Sequence, residues 1–193
     1  MVLMKKLFPF MLLVVLLLSG AFLLPPPARA QQMQEPEEDE VSINLKATDG
    51  RMYDLAEMRG NVVVVSFGAT WCQPCAEELR ALEQLRKEYE DKPVRFLWVS
   101  VESEDQVSDG DLRSFAKKLK LSFPVLRDPT KFTFAQFADR VRLPLVTIFD
   151  KEGKLVVKHT GMSKPEEYKT MLRSRVDKFL ATTSSVRARR TKS

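Results

Sequence analysis

Cysteine and histidine are almost missing from this chain: two of the one and one of the other in 193 residues. A zinc site takes four ligands. Cys72, Cys75 and His159 supply three, so carboxylates or a second subunit would have to complete the set, and nothing in the spacing points to them. As a purely structural crosslink, a Cys72–Cys75 bond would close too short a loop to constrain the unfolded chain much. No cysteine follows Leu18-Ser19-Gly20, so nothing there marks a lipid anchor. No internal repeat is visible either.

Acid is missing from the first thirty residues, and this shapes the reading of charge. Lys5 and Lys6 precede an apolar run from Leu7 to Leu24, broken only by Pro9 and Ser19-Gly20. Ala28-Arg29-Ala30 then gives the small-residue pattern of a secretory cleavage site. Residues 1–30 thus read as a signal peptide or, since the run is long enough to span a bilayer, an uncleaved anchor. Either way the remainder faces an oxidising, extracytoplasmic compartment. Removing Lys5, Lys6 and Arg29 takes the net charge from +5 to +2, so the basic balance is no argument for nucleic acid. Residues 31–40, ending Glu37-Glu38-Asp39-Glu40, read as an acidic linker, and 183–193 as a basic, disordered tail.

What lies between, residues 41–182, is long enough for one domain with its own core. Ile43, Leu45 and Ala47 alternate with polar residues before Asp49-Gly50, which predicts an N-terminal hairpin closed by Met52-Tyr53. The run Val62-Val63-Val64-Val65 lacks alternation and reads as a strand buried on both faces. A helix is predicted from about Cys72 to Glu90 with Leu79, Leu82, Leu85 and Tyr89 inward, and a buried strand over Val94–Val101. A second helix should start at Asp111, and a short one should carry Phe132, Phe134 and Phe137. Leu145–Phe149 and Leu155–His159 form a terminal hairpin, and a last helix runs from Lys164 to about Leu180. Strands alternating with helices pair in parallel and the hairpin adds antiparallel strands, so the sheet is mixed.

The two cysteines sit where strand gives way to helix, in Gly68-Ala69-Thr70-Trp71-Cys72-Gln73-Pro74-Cys75. In that context a Cys-x-x-Cys pair reads as a redox dithiol. A thiol on the first turn of a helix meets unpaired N–H groups and the positive end of the dipole. Both favour the thiolate, which is the form that attacks a disulfide. Cys72 is therefore expected to attack and Cys75, one turn behind, to resolve.

From Val41 to Leu180 the chain resembles the thioredoxin fold, and more narrowly the TlpA/ResA-like extracytoplasmic thiol-disulfide oxidoreductases of bacteria. The likeness rests on Phe67–Cys75, Val99–Ser103, Phe123–Pro129, and Leu143–Asp150 with Gly153-Lys154. It implies an α/β, thioredoxin-like fold: a central mixed sheet flanked by helices, with an N-terminal hairpin extension. It also implies that Pro144 is a cis-proline facing the cysteines, with Leu143 beside it as a short edge for a partner's extended segment. Trp71, Gln73 and Pro74 complete the expected contact surface, Trp71 shielding the disulfide on one side. Thioredoxins carry a buried aspartate where this chain has Ser66, so Cys75 needs another base. The resemblance offers Glu102, with Glu104 behind it. Gly68 stands where the family usually has an aromatic, Arg80 where it often has proline, and Arg142 where a glycine is usual. The redox centre implied is the cysteine pair itself, without a cofactor or metal.

The partners implied are client proteins with cysteines or disulfides and a membrane thiol-disulfide electron donor, with apocytochrome c among the family's clients. Contact with the membrane is expected only through an uncleaved N-terminal segment. Pro74 between the cysteines favours reduction of clients over disulfide formation. A thiol peroxidase would need threonine three residues before the cysteine, where this chain has Ala69. A non-enzymatic binding or chaperone module on the same scaffold is the remaining alternative.

Overall fold

A computed structural model describes residues 41–190, with side chains as far as Thr182. The leader at 1–30, the acidic linker at 31–40 and residues 191–193 lie outside the described residues. The alternating stretch folds as expected: β1 (Asn44–Lys46) pairs antiparallel with β2 (Met52–Asp54). Its turn needs a residue in the left-handed region, and Gly50 supplies it at φ +89°. A short 3-10 turn, Leu55–Met58, follows, started by the Asp54 carboxylate accepting from the Ala56 amide. No apolar period announces it in the sequence.

The valine run becomes β3 (Val62–Gly68), buried at every residue. It lies beside β4 (Val94–Ser100), which in turn pairs with β5 (Val125–Arg127), all three parallel. β6 (Leu145–Phe149) pairs antiparallel with the other edge of β3, and β7 (Leu155–Thr160) closes the hairpin, giving the order β5-β4-β3-β6-β7. β5 is too short to show a period, and the sequence reading passes over it. The N-terminal hairpin is tied to it by an Ala47–Leu126 bridge and by the Thr48 amide on the Val125 carbonyl. A sheet edge is covered in this way.

Four helices complete the domain: α1 (Gln73–Glu88), α2 (Asp109–Leu119), α3 (Phe132–Ala135) and α4 (Pro165–Arg190). α2 starts two residues before Asp111 because Ser108 caps it. The Asp111 amide donates to Ser108 Oγ at 3.1 Å, and the Ser108 amide donates back to Asp111 Oδ2 at 3.2 Å. α4 differs from expectation in length. It continues past Leu180 to Arg190, so the tail expected to be disordered is helical as far as it is described. No proline or glycine after Pro165 stops it.

The period of two along β3 sorts the core into two halves. Val62 and Val64 face the helices, with Leu79, Leu82 and Leu85 of α1, Leu112 of α2 and Tyr168, Leu172 and Val176 of α4. Val63, Val65 and Phe67 face the hairpin and α3, where Phe134 and Phe137 pack at 5.7 and 5.2 Å from the Phe67 ring. Phe132, read from the sequence as core, is instead exposed, because a single turn of helix buries only one side. Among the described residues no helix is long and apolar enough to cross a membrane. Leu172→Ala should lower stability by about 3 kcal/mol, as for other buried leucines. Urea denaturation would register this as a lower midpoint at unchanged slope.

Candidate active site

β3 runs parallel to β4, so both strands deliver their C-terminal ends to the same edge of the sheet. From Gly68 the chain turns through Ala69, Thr70 and Trp71 and enters α1 with Cys72 as the N-cap. Pro74 stands in the first turn, where its missing N–H costs nothing. Cys72 and Cys75 are joined in a disulfide. The Cys75 amide points at Cys72 Sγ at 3.2 Å, the place where an orphan helix donor favours a thiolate. The two cysteines are not equivalent in exposure: Cys72 keeps 6% of its surface and Cys75 none.

The remaining residues named from the sequence gather at this end in different ways. The Leu143–Pro144 peptide is cis. Pro144 is buried and Leu143 packs against the cysteine pair. Gln73 and Pro74 are exposed. Trp71, expected to shield the disulfide, stands 70% exposed ahead of the helix. Glu102, expected to serve Cys75, is buried but turned to other partners. Its carboxylate accepts from the Thr70 amide at 2.7 Å, the Thr70 hydroxyl at 2.7 Å and the Ser100 hydroxyl at 3.1 Å. Behind it Arg127 reaches the Val107 carbonyl at 3.0 Å and Asp109 at 2.9 Å, holding down the segment after β4.

The residue that sequence reasoning missed is Glu78. It lies one turn beyond Cys75 and is fully buried. Ser66 Oγ of β3 donates to one of its oxygens at 2.6 Å, and the Tyr168 hydroxyl of α4 donates to the other. The signal was available. Glu78 follows Cys75 by three positions and precedes Leu82 by four, which places it on the buried face of α1. Burial pushes its pKa from 4.5 up to about 7, against the Ser66 and Tyr168 hydrogen bonds, which lower it. The Tyr168 phenol is raised in turn, by burial and then by the Glu78 charge. His159, half-buried in β7, lies with its ring 5.9 Å from that of Tyr168.

The folded protein therefore holds the Glu78 proton more tightly than the unfolded chain does. That stabilisation is complete below the ordinary value of 4.5 and is lost as the pH rises through about 7. Between those limits wild type should lose about 3 kcal/mol relative to Glu78→Gln. Urea titrations of both proteins at an acidic and an alkaline pH would measure this, and parallel pH profiles would rule it out.

Comparison with known proteins gives the same picture. The AhpC/TSA family matches residues 37–158. The chain is 36% identical over 124 residues to the thioredoxin-like protein YneN of Bacillus subtilis, spanning 64% of this chain and 71% of that one. It is 29% identical over 126 residues to the thiol-disulfide oxidoreductase ResA of Bacillus cereus, spanning 64% and 70%. Among solved structures, the exposed lipoprotein thioredoxin Etrx1 of Streptococcus pneumoniae aligns at 30% identity with a TM-score of 0.57, over 69% of this chain and 98% of its own. With the cysteine pair at the head of α1 and the thioredoxin-like sheet behind it, the chain belongs to the AhpC/TSA family and is a thiol-disulfide oxidoreductase of the ResA kind.

Proposed function

We propose that the protein is an extracytoplasmic reductase of client-protein disulfides, acting through Cys72 and Cys75. The observation that carries this reading is the asymmetry of the pair, with Cys72 at the helix N-cap keeping 6% of its surface and Cys75 keeping none. The Cys72 thiolate attacks a client disulfide. The client S–S bond breaks, one client sulfur leaves as thiolate and is protonated, and a Cys72–client disulfide forms. Deprotonated Cys75 then attacks Cys72 Sγ and expels the second client thiolate. Two electrons have passed to the client, and the Cys72–Cys75 bond is closed. A dithiol donor at the membrane restores the reduced pair by the same exchange in reverse.

Glu78, rather than Glu102, is the carboxyl that takes the proton from Cys75. It sits one turn away with a proton affinity near neutrality, whereas Glu102 is committed to Thr70 and Ser100 and holds the loop in place. Trp71, Gln73 and Pro74 meet the client. Leu143 offers its backbone to an extended client segment, since its N–H and carbonyl make no hydrogen bond among the described residues. The leader read at residues 1–30 and the likeness to the exposed lipoprotein thioredoxin Etrx1 support a site of action outside the cytoplasm. Apocytochrome c is one client class that fits, through the likeness to ResA.

Equilibration in thiol–disulfide buffers tests the direction. A reduction potential near about −270 mV supports a reductase, and one near about −120 mV would overturn it in favour of a disulfide donor. Cys72→Ser should abolish turnover of a disulfide substrate, and Cys75→Ser should accumulate the Cys72–client mixed disulfide. Glu78→Gln should slow resolution of that mixed disulfide by about 10²-fold, as loss of a general base does. The same measurement on Glu102→Gln should show a change of no more than about threefold, since it loosens the loop without touching the proton transfer.

A further inference from the structure

Trp98 is fully buried in β4, on the side of the sheet that faces the helices. It is paired in register with Ser66 of β3, and its ring lies 5.3 Å from that of Phe115 in α2. Among the described residues its indole Nε1–H has no hydrogen-bond acceptor. A buried donor left this way costs free energy and calls for a reason. Its surroundings supply one. A Cβ placed on Gly68 would stand 2.9 Å from Trp98 Nε1 and 3.4 Å from Cys75 Sγ. The indole N–H and the buried sulfur therefore border the same small space, kept clear because residue 68 has no side chain.

In the disulfide, Cys75 Sγ is a weak acceptor. When a thiolate attacks Cys72 the Cys72–Cys75 bond breaks and its electron pair goes to Cys75, so a full charge arrives on an atom with no exposed surface. Hydrogen bonds to ionised acceptors are about twice as strong as those to neutral ones. We propose that Trp98 is a positioning residue for the exchange reaction, whose indole N–H bonds the Cys75 sulfur once the disulfide opens. This rests on the reading that Cys75 cycles between disulfide and thiolate. The carboxyl groups at this end of the sheet are already engaged. Glu78 on the same helix is held by Ser66 of β3 and Tyr168 of α4, and would repel the thiolate when ionised. Glu102, at the end of β4, is held by Thr70 and Ser100. Leu143, on the β6 side, is apolar. Trp98 brings the uncommitted donor, and Gly68 leaves it room.

The test uses the full chain carrying Cys72→Ser, in which Cys75 is a single thiol and no internal disulfide forms. Its ionisation is followed by ultraviolet thiolate absorbance, with and without Trp98→Phe, which keeps most of the ring and removes the N–H. The added substitution should lower the ionisation constant of Cys75 by about tenfold, as expected for a hydrogen bond to a charged group. In the Cys72→Ser chain with Trp98 intact, the Trp98 indole proton resonance should move downfield in step with that ionisation. The resonance of Trp71, the other tryptophan of the chain, should stay put. The proposal fails if the Trp98 resonance ignores the Cys75 titration, or if Trp98→Phe leaves that titration unmoved. The resonance needs no change at position 98, so a poorly folding Trp98→Phe does not remove the test. Neither readout depends on turnover, so a wild-type protein inactive on disulfides would defeat the exchange reading separately.

Discussion

Placing the Glu78 carboxyl where water does not reach is the constraint around which much of this domain is arranged. A buried carboxyl without partners is costly. Here strand β3 brings Ser66 to one oxygen and helix α4, 90 residues on, brings Tyr168 to the other, so three elements meet at one side chain. The apolar contacts of Leu79, Leu172 and Val176 hold the same elements together without fixing their register. The hydrogen bonds do fix it, because they are satisfied at one setting of α1 against the sheet. That setting also determines where Cys75, a single turn away, comes to rest. Docking of the C-terminal helix and the environment of the redox pair are thus consequences of one interaction.

A second set of polar contacts steadies the loop before the helix. Glu102 grips Thr70 through both its amide and its hydroxyl, while Arg127 and Asp109 brace the backbone that follows Glu102. Trp71 is therefore carried on a turn whose inner side is tied to β4 through Glu102, and the exposed Gln73 and Pro74 follow it in the first turn of α1. The stretch just before the helix is irregular backbone, but it is anchored at Thr70, two residues before the N-cap.

How far the sequence led can be read residue by residue. The valine run, the period of α1, the terminal hairpin and the Cys-x-x-Cys pair at a strand–helix junction are local patterns, and each folds as its pattern implies. β5 escaped because three residues carry no period. The N-terminus of α2 lies ahead of the expected Asp111 because a capping box between Ser108 and Asp111 sets it. Glu78 was visible as an acid on an apolar face, but its partners are 12 and 90 residues away in the chain, and only the tertiary fold brings them in. Glu102 was singled out by position, while what its carboxylate binds depends on how the loop at Thr70 closes over β4. Trp98 was recognisable as core, yet its unpaired N–H emerges only once the strands are in register.

The burial of Cys75 also limits how many partners the protein can serve at once. A disulfide with two accessible sulfurs could be approached from either side. Here Cys75 has no exposed surface and Cys72 keeps 6% of its own, so an incoming thiol has one cysteine to approach. Whatever reduces the pair and whatever the pair reduces must approach that cysteine in turn, so the two are not engaged at once. Flux through such a centre then depends on each partner's access to that one cysteine as much as on the chemistry of either.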